Sequence, residues 1–276
     1  MAIDLDFLKS SYFFFDLPVV YKLSKEKEIN IYPVTVKQSE IFLSSAYILA
    51  IDKNATASVE IIQMSYLQFL MEVVLPSDKT MVTRLTNLLN LCLDIKDPMV
   101  RKEKGKYILY DPEKGIEITH KDFEDIRRII MYQNNPHYDD SYINPDIKQA
   151  MDELDYMRNK DYDMPTIERK IAIISSHTGI TKKEQLEMTY RSHTLLFEEV
   201  SGEIEFTTTY PIALYAGKAD EIPHWIYKKK KDRLDGYFVS ASKYNKSMGG
   251  DGNINQITDE SGVLALENQY INKGGK

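Results

Sequence analysis

Asp139, Asp140, Asp146, Asp152, Glu153 and Asp155 form an acidic segment beside His137. Clustered carboxylates are what a divalent cation or a general acid–base pair requires. A calcium loop spaces its ligands as DxDxDG, however, and that pattern is absent. On the helix expected to carry the last of these residues, Asp152 and Asp155 alone share a face, so a solvated helix surface accounts for them. The five histidines (120, 137, 177, 193, 224) include no HxxxH or HExxH pair. His177 falls at an expected helix end and His193 in mid-helix, positions of caps and packing residues. No GxSxG turn presents a serine nucleophile. Met248-Gly249-Gly250-Asp251-Gly252 has glycines but no following Lys-Ser or Lys-Thr, so it does not cradle phosphate. Lys228–Lys231 follows Trp225 and Tyr227, which is the composition of a single-strand nucleic-acid groove. Asp220, Glu221, Asp232 and Asp235 flank the run and dilute its field, which reads as a solvated charge run. The expectation is a chain without catalytic residues, cofactor or metal.

The net charge of −7 and a pI near 5.4 argue against coating nucleic acid or an anionic membrane. No apolar run approaches the roughly 18 residues needed to span a bilayer, and the N-terminus lacks a charged leader with an apolar run behind it. The single cysteine, Cys92, lies among Leu88, Leu89, Leu91 and Leu93 and reads as a small buried hydrophobe. These features predict a soluble protein made in a reducing cytoplasm. A hydrophobic content of 43% is enough to build a core, and 19 tyrosines give ample material for interfaces.

The local pattern predicts an α+β fold, predominantly α-helical. Residues 18–23 and 29–32 flank a charged loop as a β-hairpin. Thr35 caps a helix over 36–50, with Gln38 closing a capping box. Residues 59–75 read as one largely enclosed helix stopped by Pro76. A third helix over 80–93 has a stripe at Met81, Val82, Leu85, Leu88, Leu89 and Cys92. Residues 107–110 and 116–118 surround Asp111-Pro112-Glu113-Lys114-Gly115 as a second hairpin, and Thr119 with Asp122 caps a helix to Asn134. The turn-forming segment 133–145 reads as an inter-domain linker. Asn144 and Pro145 then start a helix to Asn159. Pro165-Thr166 opens another, ended by Gly179. Thr181 and Glu184 form a further capping box, and a long helix covers 190–200. Half of the chain's 12 glycines lie beyond Lys246. The expected organisation is a hairpin-plus-helix domain over 1–135, a helical domain over 145–245 and a flexible tail over 246–276.

One stretch carries a likeness to a family. A short strand ends at Tyr32, Pro33-Val34-Thr35-Val36-Lys37-Gln38 follows, and Ile41-Phe42-Leu43-Ser44-Ser45-Ala46 continues as helix. This resembles proteins of long-tailed bacteriophages that assist tail or baseplate-hub assembly, in which a segment similar to P-x-T-V-K-E opens a helical domain. Gln38 stands where that family has glutamate, and Tyr32 where it has a basic residue. Gly179–Thr189, leading into Ser192–Val200, is similar to the two-helix segment of small tail-assembly chaperones. The resemblance implies a non-enzymatic morphogenesis protein in the cytoplasm of the infected host. It would bind tube, tape-measure or hub proteins, with no nucleic acid, membrane or cofactor involved. Alternatives are a structural subunit retained in the virion tail, or an enzyme with a dispersed carboxylate site around 139–155. Expected partner-binding residues are Tyr190, Leu195, Phe197, Tyr210, Trp225 and Tyr227.

Overall fold

The computed structural model describes residues 3–24, 27–55, 58–219, 222–227 and 237. The chain divides into two compact units, Met1–Lys148 with Tyr162–Trp225, and Gln149–Asp161 with Ile226–Lys276. The segment 133–145 therefore lies inside the first unit. The lysine run 228–231 and the glycine-rich tail lie outside the described residues.

The first unit begins with α1 (Leu5–Leu8), which runs on through a π turn over Lys9–Phe13. β1 (Val19–Lys22) and β2 (Glu28–Ile31) form the expected antiparallel hairpin, with Val19 opposite Ile31. Alternation in β2 turns Ile29 and Ile31 into the core. A 3-10 turn (Val36–Gln38) then leads into α2 (Ser39–Ala50). The Gln38 side-chain oxygen accepts from the Thr35 N–H at 3.1 Å, as the capping box requires.

The single enclosed helix expected over 59–75 is broken. α3 (Val59–Gln63) is exposed along most of its length, with Val59 64% and Ile62 39% accessible. Ser65 caps a new start, its hydroxyl accepting from Gln68 N–H at 3.2 Å. From there α4 (Tyr66–Phe69), a π turn (Leu70–Val74) and α5 (Leu75–Ser77) run on without a gap. Pro76 stands one residue before this continuous run ends at Ser77, so the stop falls just past it.

α6 (Thr80–Leu93) matches its expected bounds and buries Leu85, Leu88, Leu89 and Cys92 against α2. Val82 is 52% exposed and stands off the buried stripe. A strand that the sequence reading did not anticipate, β3 (Met99–Glu103), pairs with β4 (Lys106–Asp111), and β4 pairs with β5 (Ile116–Ile118), all antiparallel. Lys104 and Gly105 both have positive φ, the two-residue turn whose twist matches the strands it joins.

α7 (His120–Asn134) crosses the centre of this unit, burying Phe123, Ile126, Ile129 and Ile130. α9 (Ile167–Thr178) ends at Gly179 with φ +77°, and α10 (Lys182–Glu187) starts from the Thr181–Glu184 capping box. α11 (Tyr190–Tyr215) extends fifteen residues past the expected end at Val200 and contains Pro211. Before α9, α8 (Pro145–Asn159) starts from Asn144, whose side-chain oxygen accepts from Asp146 N–H at 2.9 Å. α8 lies mainly in the second unit, where Asp155 accepts from the Tyr237 hydroxyl at 2.6 Å. Helix therefore dominates, with two small antiparallel sheets confined to the N-terminal half of the described residues. No described helix is long and apolar enough to cross a membrane.

Candidate functional site

The sequence stretches that carry the family likeness meet in space. Thr35 and Thr189 form an isolated antiparallel bridge, in which Val36 N–H donates to Met188 O at 2.9 Å and Tyr190 N–H to Val34 O at 2.7 Å. This seam fixes where α11 begins. Thr189 caps it, accepting from Ser192 N–H at 3.1 Å while donating its own proton to Asp16 at 2.6 Å. Ser192 donates to the same carboxylate at 2.9 Å, so Asp16 ties the N-terminal segment to the first turn of α11.

Beside the seam a groove of about 270 Å³ opens between α2, the end of α7 and α11. Phe42, Leu43, Ala46, Tyr47, Met131, Pro136 and Tyr190 give it apolar walls, and Asn135 and Thr194 supply its polar atoms. Tyr190 leans on Phe42 with ring centroids 6.4 Å apart. The Thr194 hydroxyl is spent on Tyr190 O at 2.8 Å, so it offers little to a visitor. Leu43 and Tyr47 are 45% and 55% exposed on the groove's lip. Concave, apolar and edged by aromatic rings, the groove suits one or two large apolar side chains of a partner.

Of the six expected binding residues, only Tyr190 reaches this groove. Leu195 is part-exposed on α11, and the Phe197 ring lies 5.2 Å from the Lys170 ammonium. Tyr210 and Trp225 come together through Phe206, at 5.1 and 5.5 Å between centroids. Tyr227 is exposed and belongs to the second unit. Sequence reasoning missed Phe42, Leu43 and Tyr47 as site residues. The signal was available, because α2 carries more aliphatic side chains than one buried face can use.

The groups weighed for chemistry are engaged elsewhere. Burial opposes the ionisation of Asp140, but hydrogen bonds from Arg128 (2.5 Å) and Tyr132 (2.6 Å) outweigh it and hold the carboxyl below its usual range. Burial pushes the Cys92 thiol up to about 12, which makes it inert as a nucleophile. His137 and His177 pair with Glu198 and Glu203 of α11. Among the described residues, no cluster of three or more His, Cys, Asp or Glu is placed to hold a metal.

The chain matches no protein-family model, no curated protein and no solved structure.

His193 adds a pH-sensitive support under α11. It is fully buried, with Nε2 3.2 Å from Gln185 Oε1. The Gln185 amide nitrogen donates to Ile171 O, Ser175 Oγ and Ile180 O, which fixes the amide so that its oxygen faces the imidazole. His193 must then donate from Nε2, leaving a buried Nδ1 with no partner. Burial, and then the charge of Lys170, hold its pKa below the usual value. Below about pH 6.5 the unfolded chain takes up a proton that the folded chain refuses. Stability contributed by the neutral ring is thus complete above that pH and lost as pH falls, with a slope approaching ~1.4 kcal/mol per unit. Urea unfolding of the parent and His193→Gln at neutral and mildly acid pH should show a steeper acid loss in the parent. Equal slopes would remove His193 as the cause.

Proposed function

We propose that the chain is a morphogenesis protein of a long-tailed bacteriophage, acting without catalysis in the infected host cell by binding a tail or baseplate-hub protein. The observation that supports this reading is the overlap between likeness and geometry. Phe42, Leu43 and Ala46, from the helix that carries the resemblance, line the apolar groove. The second similar stretch ends at Thr189, on the seam beside it. A groove with apolar walls and few free polar atoms binds by shape and desolvation.

The test is affinity purification of tagged chain from infected cells. The parent should recover a tube, tape-measure or hub protein. Tyr47→Asp, on the exposed lip, should lose that protein by more than about tenfold while its helical circular dichroism stays unchanged. Recovery of no tail protein by the parent would overturn the reading. Equal recovery by parent and variant would move the binding site away from the groove.

A further inference from the structure

The first turns of α11 have the groove on one side and a buried imidazole on the other. Tyr190 and Thr194 form the groove's α11 wall, opposite α2 and the end of α7. His193, between them in sequence, meets Gln185 of α10 instead. Gln185 is itself fully buried and bonds back to Ile171 O and Ser175 Oγ of α9. From Gln185 the chain runs through Met188, whose carbonyl accepts from Val36 N–H at 2.9 Å, and Tyr190, whose N–H donates to Val34 O at 2.7 Å. The support under His193 and the seam beside the groove are thus parts of one short stretch.

That support fits a neutral ring alone. The Nε2 proton is spent on Gln185 Oε1, and Nδ1 is buried without a partner. A second proton would place a charged donor at Nδ1 where no acceptor stands, and a buried unpaired charge is heavily penalised. The surrounding charges do not offset this. α9 sends Lys170, whose positive charge adds to the effect of burial. α10 sends the neutral Gln185 amide, while its Lys182, Lys183, Glu184 and Glu187 are exposed. On α11 itself, Arg191 turns away to Tyr132 O at 2.9 Å. The charged ring must reach water, which requires the first turns of α11 to part from α10.

We infer that His193 is a pH gate for the groove: taking up a proton opens the seam and draws Tyr190 off Phe42, so the groove holds its occupant at neutral pH and releases it in mild acid. The wall across the groove is braced separately. α2 packs on α6, and Arg127 and Tyr66 hold its end. The opening is therefore confined to the α11 side. An occupant that needs the closed wall binds the neutral form, and its affinity falls by up to about tenfold for each pH unit below ~6.5. Release of a tail protein rests on the docking reading above, whereas the opening itself is a property of the fold.

Amide exchange of the purified full-length chain, resolved by residue at pH 7.5 and 5.5 and corrected for intrinsic rates, tests the gate. Val36 and Tyr190, whose N–H groups make the seam, should lose about tenfold in protection at the lower pH. Ala46 and Tyr47 on α2 should keep theirs, a comparison that the parent chain supplies by itself. His193→Gln offers Gln185 a neutral amide at every pH and should abolish the loss at the seam. Seam protection that does not fall overturns the inference. An equal fall on α2 also overturns it, because acid then loosens the whole unit. A loss that persists in His193→Gln removes His193 as its cause. A tail protein captured at pH 7.5 should be washed from the parent at pH 5.5 about tenfold more readily than from His193→Gln. Equal retention overturns the coupling to binding. Capture of no tail protein at either pH overturns the docking reading and leaves the exchange result standing.

Discussion

Asp122→Ala should destabilise the protein by about 4 kcal/mol, lowering the thermal midpoint by roughly 10 °C. The carboxylate is 2% exposed and gathers four donors. One oxygen accepts from Thr119 N–H at 3.0 Å and from its hydroxyl at 2.7 Å, completing the cap of α7. The other accepts from Ser24 N–H at 3.0 Å and its hydroxyl at 2.6 Å, pinning the end of the first hairpin to the same helix. Losing the cap alone costs about 1 kcal/mol. The remainder comes from the part-buried Ser24 and Thr119 donors losing a charged acceptor, at about 1.5–3 kcal/mol per bond. Thr119→Ala isolates the cap half and should cost only that first increment. Denaturant unfolding of the two variants measures both. An Asp122→Ala cost no larger than that of Thr119→Ala would mean that the Ser24 tie contributes nothing.

The cap of α7 was legible in the sequence, whereas its tie to Ser24 was not, and the contrast is general. A capping box needs two residues three apart, so Thr35–Gln38, Thr119–Asp122 and Thr181–Glu184 could all be read locally, as could Gly179 at a helix end. β3 was harder because Arg101, Lys102 and Glu103 blur its alternation. The Lys104-Gly105 turn was its clearest sign. The break at Met64–Ser65 hid inside an unbroken apolar run, where helical periodicity cannot distinguish one helix from two. The far half of α11 hid behind three threonines and Pro211, residues that disfavour a helix interior. Its hydroxyl-to-carbonyl bonds show how the threonines are accommodated. The groove draws Phe42 and Tyr190 together from distant parts of the chain. A single sequence records no such pairing, so only its Tyr190 wall was anticipated.

Arg127→Ala should cost about 3 kcal/mol, and its effect should reach the groove through the end of α2. The last carbonyls of a helix lack partners within it. At the end of α2 they find donors from elsewhere in the fold. Arg127 donates to Leu49 O at 2.9 Å, and the Tyr66 hydroxyl lies 2.9 Å from Ile48 O and 3.1 Å from Ile51 O. The guanidinium sits 4.1 Å from the centre of the Tyr66 ring, so each side chain holds the other in place. Glu124 steadies the arginine at 2.8 Å, and its positive charge complements the negative end of the helix dipole. Burial keeps the Tyr66 phenol protonated well beyond its ordinary range, so it remains a donor. Tyr66→Phe removes one hydrogen-bonding hydroxyl and should cost about 1 kcal/mol. Tyr66→Leu also removes the ring, and combined with Arg127→Ala it should cost less than the sum of the two single changes, by about 1–2 kcal/mol. Strict additivity would mean that the two residues act separately. In the Arg127 variant, amide exchange at the end of α2 should quicken, loosening Tyr47 and Ala50 on the groove wall. A partner that reads the groove should then bind Arg127→Ala more weakly although no residue it touches has changed. Unaltered binding, with a frayed α2, would place the partner elsewhere on the molecule.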